Sequence, residues 1–135
     1  MMLERIQNIE EDSVVNVLRY AVGPQESSLQ KAISFYAKNK NASLYKYQEH
    51  GCVGIEFIGK NKARVCHIAV SPDSRNKGVA SDMIKKIIHV HGLTYIEVET
   101  DCEAVEFYRK CGFMITSLGE KYPGVERFYC YWGQE

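Results

Sequence analysis

The chain has 135 residues, 45% of them hydrophobic and 25% charged, and its 17 basic and 17 acidic residues cancel to a formal net charge of zero. That suits one ordinary domain with one core, spanning residues 1–135, and it excludes nucleic-acid binding through bulk charge or a like-charged tail. No apolar run approaches the ~20 residues that cross a bilayer, and Met1–Glu10, with Glu4, Arg5 and Glu10 in it, reads as neither signal nor transit peptide, so a cytoplasmic protein without a membrane partner is expected.

Glu4–Ile9 reads as a first strand. Asp12 or Ser13 is expected to cap a helix whose apolar face is Val14, Val17, Leu18 and Ala21, stopped by Gly23-Pro24. Ser27 or Ser28 is expected to cap a second, bearing Leu29, Ala32, Ile33, Tyr36 and Ala37. Three strands follow: Ser43–Glu49, turned by Gly51; Cys52–Ile58, turned by Gly59-Lys60-Asn61; and Ala63–Val70, ended by Pro72. Short loops between them predict an antiparallel meander. Val79, Met83, Ile84, Ile87 and Ile88 then restore a helical period, closed over His89–Gly92. Thr94–Glu99 reads as a strand. Ala104, Phe107, Tyr108 and Cys111 recur at i, i+3, i+4 and i+7 and predict a further helix, with Gly112 as its C-cap. Phe113–Leu118 and Glu126–Trp132 read as two strands about a Tyr122-Pro123-Gly124 turn. The order β-α-α-β-β-β-α-β-α-β-β predicts an α/β or α+β sandwich with one mixed sheet, and the strand–helix–strand unit over 63–99 should be parallel and right-handed.

Several residues that invite a chemical reading have a plainer one. The five cysteines are odd in number and none form a CxxC pair, so reduced, mostly buried thiols are expected and no metal site. His67 lies on a strand, where a lone histidine is most often structural. Glu56, between Ile55 and Phe57, is read as facing water. A partial positive charge on His89 and His91 would suit a helix C-terminus. Tyr45, Tyr47, Tyr129 and Tyr131 alternate along strands and are read as packing rather than a stacking surface for bases.

The chemistry is concentrated in Val70-Ser71-Pro72-Asp73-Ser74-Arg75-Asn76-Lys77-Gly78-Val79-Ala80. Here a loop with a glycine runs from a strand into a helix N-terminus, whose unpaired N–H groups and dipole favour an anion. Gly78 lets the backbone approach a phosphate, and Arg75 and Lys77 add positive charge at the rim. Neither GxxxxGK with Ser or Thr nor GxGxxG is present, so the P-loop and dinucleotide fingerprints do not fit.

What remains, Arg-x-x-Gly-x-Ala after Ala69-Val70-x-Pro, resembles the pyrophosphate loop of the GCN5-related N-acetyltransferase (GNAT) superfamily. Asp101, Ala104, Phe107-Tyr108, Lys110 and Gly112-Phe113 resemble that family's Asn-x-x-Ala-x-x-x-Tyr-x-Lys-x-Gly-Phe segment, at the expected distance and with Asp101 in place of Asn. The resemblance covers about residues 52–115. It implies a GNAT fold in which two central strands splay and the pantetheine arm of acetyl-coenzyme A pairs with the first, here Ile68-Ala69-Val70. The pyrophosphate would rest on the amides of Asn76, Lys77, Gly78, Val79 and Ala80, with Arg75 beside it, and the arm would pass Asp101 and Ala104 to place the thioester near Tyr108. The implied activity is direct acetyl transfer to a primary amine, small-molecule or peptide, entering between the two N-terminal helices and the Tyr122-Pro123-Gly124 turn. Tyr108 would be the general acid, unless it is a core aromatic. Glu97, sharing a strand face with Tyr95 and Glu99, would be the base, with Glu56 second, unless each is a solvated strand residue. The alternative reading is a module that binds acetyl-coenzyme A without turnover. A homodimer is compatible with the sequence.

Overall fold

The computed structural model describes residues 2–134. Seven strands, β1 (Glu4–Arg5), β2 (Ala42–Tyr47), β3 (Gly51–Gly59), β4 (Lys62–Val70), β5 (Tyr95–Asp101), β6 (Met114–Tyr122) and β7 (Val125–Gly133), form one mixed sheet in the order β1-β2-β3-β4-β5-β7-β6. The helices are α1 (Asp12–Val22), α2 (Glu26–Lys38), α3 (Val79–His91) and α4 (Val105–Lys110), with a 3-10 turn at Pro72–Ser74. Every neighbouring pair is antiparallel except β4–β5, which the α3 crossover makes parallel as expected.

Period-2 alternation sends successive strand residues to opposite faces. On one face Leu44, Cys52 and Ala69 meet Val14, Val17, Leu18, Leu29, Ala32 and Ile33 of α1 and α2. On the other, Val53, Ile55, Val65, Ile96, Val98 and Cys130 meet Val79, Met83, Ile84 and Ile87 of α3 and Val105 and Tyr108 of α4. The result is three layers, α1/α2 over sheet over α3/α4. Gly51 lets α3 settle there: a Cβ on it would lie 2.6 Å from the Ala69 carbonyl oxygen and 3.0 Å from the Met83 methyl.

Boundaries differ from expectation where local signals misled. The first strand covers only Glu4–Arg5, because from Asn8 the chain bonds to itself: the Asn8 side chain accepts from Glu10 N–H and its carbonyl from Glu11 N–H. α1 and α2 are flanked by Glu11 and Gln25, without side-chain caps, so neither Asp12 or Ser13 nor Ser27 or Ser28 takes the cap. Glu26 in the first turn of α2 instead meets Arg19 of α1 at 3.0 Å. The turn after β2 is Gln48–His50, with Gln48 at φ 50°, and Gly51 already belongs to β3. The last hairpin is longer than expected, its two strands closing on a Tyr122–Val125 pair around Pro123-Gly124.

All five cysteines are free thiols, but only Cys52 and Cys130 are fully buried. His91 holds a proton less readily than a free imidazole: burial, with Arg5 nearby, lowers its pKa, and its Nε2 lies 2.6 Å from the Tyr45 hydroxyl. Among the described residues no helix is long and apolar enough to cross a membrane, and no three His, Cys, Asp or Glu side chains gather where they would hold a metal.

Candidate active site

The sheet divides at one place. β4 and β5 pair only through Lys62–Tyr95, Ala63–Ile96 and Arg64–Glu97, while on its other side β4 stays paired with β3 as far as Val70. The cause is visible in the β3–β4 register: Gly54 pairs with His67 and Ile55 with Val65, so Cys66 is an extra residue in β4. Such a bulge bends and twists its strand, and here it falls just where pairing with β5 ends. From Val65 to Val70 the main-chain groups of β4 that point toward β5 have no strand to bond. Donors and acceptors left this way need another partner, and an extended ligand with amide groups would supply it.

The open end of the fork leads into the glycine loop. Asn76 and Gly78 both adopt left-handed backbone, φ 61° and 77°. Gly78 is the N-cap of α3, no side chain caps that end, and the first helical bond is Asp82 N–H to the Gly78 carbonyl at 3.0 Å. The preceding N–H groups of the turn are therefore left to a ligand. A Cβ on Gly78 would meet nothing within 4 Å, so backbone conformation, not crowding within the protein, is what calls for glycine here. Arg75 Nε donates to the Val70 carbonyl at 3.2 Å and Lys77 Nζ to the Asp73 carbonyl at 3.1 Å, so both cations brace the loop they decorate.

Beside the loop is a cleft of about 420 Å3. It brings together Val70, Arg75, Asn76, Gly78, Val79 and Ala80 of the expected set. Ser74, Ser81 and Phe107 line it as well and were not assigned there from sequence. Lys77 instead borders an adjoining cleft of about 370 Å3 with Tyr47, His50 and Asp82. Ile68 and Val70 turn their main-chain groups toward the fork, whereas those of Ala69 are turned to Cys52 of β3, in step with the Ser71 N–H to His50 carbonyl bond two residues on, and the Ala69 side chain is buried under α1 and α2. Phe107 and Tyr108 share one helical stripe, and only packing tells them apart. Phe107 faces the cleft, whereas Tyr108 lies 2% exposed, its ring against Phe107 and Phe113.

Asp101 stands at the start of the second segment and does what an Asn would do: its Oδ1 accepts from the N–H groups of Glu103 and Ala104 at 3.0 and 3.1 Å, ordering the turn into α4. At the far end Phe113 N–H returns to the Tyr108 carbonyl and Gly112 N–H to that of Arg109, Gly112 sitting at φ 90° just past the Cys111 cap.

Burial first, then the neighbouring Cys130, Cys111 and Asp101, push the Tyr108 phenol well above its usual pKa, so it holds its proton at neutral pH. No described residue hydrogen-bonds the Tyr108 hydroxyl. Because no fully buried side-chain polar atom lacks a partner among the described residues, that hydroxyl must keep some contact with solvent. Glu97 is engaged at both oxygens, accepting from Arg64 Nε at 2.9 Å and from the Tyr129 hydroxyl at 3.2 Å. Glu56 accepts from Asn39 at 2.8 Å and sits 3.7 Å from Arg64, so it is paired rather than simply turned to water.

Comparison with known proteins agrees with this fold. The model of a family described as an acetyltransferase (GNAT) domain matches residues 38–115. No curated protein matches the chain in sequence. Among solved structures, it resembles a GNAT-family protein from Desulfovibrio desulfuricans (14% identity, 98% of each chain covered, TM-score 0.77). It also resembles a Bacillus subtilis acetyltransferase in complex with CoA (16% identity, 98% of each chain, TM-score 0.71). A third is the ribosomal-protein-S18-alanine N-acetyltransferase of Escherichia coli (13% identity, 99% of this chain and 95% of that one, TM-score 0.75). At these identities the structural likeness speaks for the fold.

Proposed function

The chain belongs to the GNAT acetyltransferase family, whose model spans more than half of it, and from that premise we propose that it transfers the acetyl group of acetyl-coenzyme A directly to a primary amine. The observation that carries this reading is the continuity of the fork with the uncapped α3 terminus: unpaired β4 main chain runs straight into a left-handed Gly78 and a first helical turn open to an anion. A ligand with an amide-bearing arm and a pyrophosphate suits the two in series.

In this reading Ile68 and Val70, on either side of Ala69, hold the arm, and residues 76–80 hold the pyrophosphate with help from Arg75 and Lys77. Asp101 and Ala104 set the start of α4, and Phe107 closes the cleft over the loop. Acetyl-coenzyme A supplies an acyl group already activated as a thioester. Tyr108 is the acid that protonates the departing sulfur, since its phenol is protonated and unclaimed by any described residue. Glu97 anchors the fork through Arg64. It becomes a base only if that ion pair opens. The acceptor belongs on the α1/α2 face of the fork, and a small amine or a peptide N-terminus fits this reading alike.

The test is thiol release from acetyl-coenzyme A with a peptide N-terminus, lysine, spermidine and an aminoglycoside as acceptors, alongside calorimetry with coenzyme A. Binding with turnover of one amine is the expected result. Binding without turnover of any would make the chain a coenzyme A-binding module, and no binding would remove the phosphate-loop reading.

A further inference from the structure

We propose that His67 is the base that takes a proton from the acceptor's ammonium group, with Tyr36 as the positioning residue that fixes its ring; this rests on the acetyltransferase reading above. The first support is location. His67 directly follows the Cys66 bulge, in the stretch of β4 that β5 no longer pairs. An arm lying along Ile68–Val70 from the glycine loop runs toward the closed end of the fork, so its reactive end arrives at His67. Alternation places the His67 side chain with that of Ala69, on the α1/α2 face, where the acceptor is proposed to enter.

The second support is that the pair is built into the fold. Tyr36 reaches down from α2 and its hydroxyl lies 2.6 Å from His67 Nδ1, the two rings edge to face at 5.4 Å. It reaches only because the strand residue paired with His67 is Gly54: a Cβ there would come within 1.7 Å of the Tyr36 hydroxyl oxygen. The third support is the other nitrogen. Nε2 has no partner among the described residues, and since none of their fully buried polar atoms is left unpaired, Nε2 reaches solvent. The proposal takes the tautomer in which Nδ1–H donates to the Tyr36 oxygen, which leaves the lone pair on Nε2, where a base needs it.

The competing carboxylates are occupied. Glu97 is held by Arg64 and Tyr129, Glu56 by Asn39 and Arg64, and Glu99 by Lys121 at 2.9 Å and Arg127 at 3.1 Å. The titratable groups around the pair are Cys52 and Glu56 on β3 and Cys66 on β4. Burial lowers the pKa of His67 below that of a free imidazole, so it is neutral and able to accept at neutral pH.

The protons balance as follows. The acceptor nitrogen begins with three and the amide keeps one. His67 takes the first, leaving the nitrogen lone pair free to form the N–C bond, and passes it to solvent. The adduct nitrogen gives up the second as the C–S bond breaks and its electron pair leaves with sulfur. Sulfur takes the Tyr108 proton, and the proton shed by nitrogen restores Tyr108 through solvent.

The experiment compares wild type, His67→Gln and Tyr36→Phe in kcat/KM against pH, with coenzyme A affinity measured by calorimetry on each. His67→Gln is expected to lower kcat/KM ~100-fold or more, to erase the acidic limb of the profile and to leave cofactor affinity unchanged. Tyr36→Phe is expected to lower it several-fold and move the limb to lower pH, because imidazolium loses the oxygen that accepts from Nδ1–H. It keeps the helix packing, so it also tests the pair should His67→Gln fold poorly. An active wild type whose limb persists in His67→Gln, or stays in place in Tyr36→Phe, overturns the His67–Tyr36 assignment alone. A wild type that binds coenzyme A but acetylates no amine overturns the catalytic reading as well.

Discussion

Arg64 and Glu97 form the last parallel backbone pair between β4 and β5, and their side chains join at the same level, Arg64 Nε to Glu97 Oε2 at 2.9 Å. Arg64 also faces Glu56 across the β3–β4 ladder, so one guanidinium ties three strands at the point where the sheet divides. The Glu97 side chain is 14% exposed and the Arg64 side chain 49%, so solvent screens the pair only in part. Arg64→Met should cost about 1–2 kcal/mol in urea unfolding. Glu97→Gln should cost about 1 kcal/mol or less and keep the acidic limb of the pH–rate profile. A Glu97→Gln enzyme without that limb would return the role of base to Glu97.

Tyr108→Phe separates chemistry from packing unusually well. The Tyr108 hydroxyl has no hydrogen-bond partner among the described residues while its ring packs on Phe107 and Phe113. Losing the oxygen should therefore leave the melting temperature and coenzyme A affinity nearly unchanged, and lower kcat at least ~10-fold. Wild-type kcat in this variant, under conditions where chemistry limits the rate, would sink the acid assignment.

Gly78 is under two separate demands. Its φ of 77° and the empty space around a built Cβ mean that Gly78→Ala should cost about 1–2 kcal/mol through backbone strain alone. Gly78→Glu adds bulk and a negative charge where the phosphates are proposed to sit. It should abolish coenzyme A binding in a protein that still folds, as calorimetry and circular dichroism together would show.

Arg75 is partly spent on the Val70 carbonyl, so its contact with a phosphate should be worth only about 0.5–1 kcal/mol. Arg75→Ala is expected to weaken coenzyme A several-fold, with the difference shrinking as salt rises. A salt-independent loss would point to a disturbed loop instead of a lost charge.

Stability should fall with acid in two stages. His67 and His91 have folded pKa values below the free imidazole value of ~6.5, mainly through burial. Their contribution is complete above that value and is lost as pH falls through the folded pKa, because the unfolded chain then binds more protons. Asp82, held down by Lys86 and Tyr47, and Glu99, held down by Lys121 and Arg127, contribute above the carboxylate range and lose it below about pH 4. Melting temperature should thus begin to decline as pH falls below about 6.5 and decline again below about pH 4. His91→Gln should make the first decline shallower, and an unchanged slope would refute its part.

The sequence alone determined the element order, the glycine loop and the α4 segment, because each is written in neighbouring residues. Helical and strand periods need only a few positions, and Gly78, Asp101 and Gly112 act within one turn of where they stand. Only the tertiary structure decided where β4 and β5 part, since a bulge at Cys66 is defined by a partner strand. It also decided that Phe107 rather than Tyr108 faces the cleft: adjacent residues on one helical stripe are distinguished by what packs against them. His67 looked like an ordinary strand histidine because its partner, Tyr36, lies 31 residues away. Their meeting depends on α2 crossing the sheet over a residue without a side chain, a fact about three elements at once that no local pattern encodes.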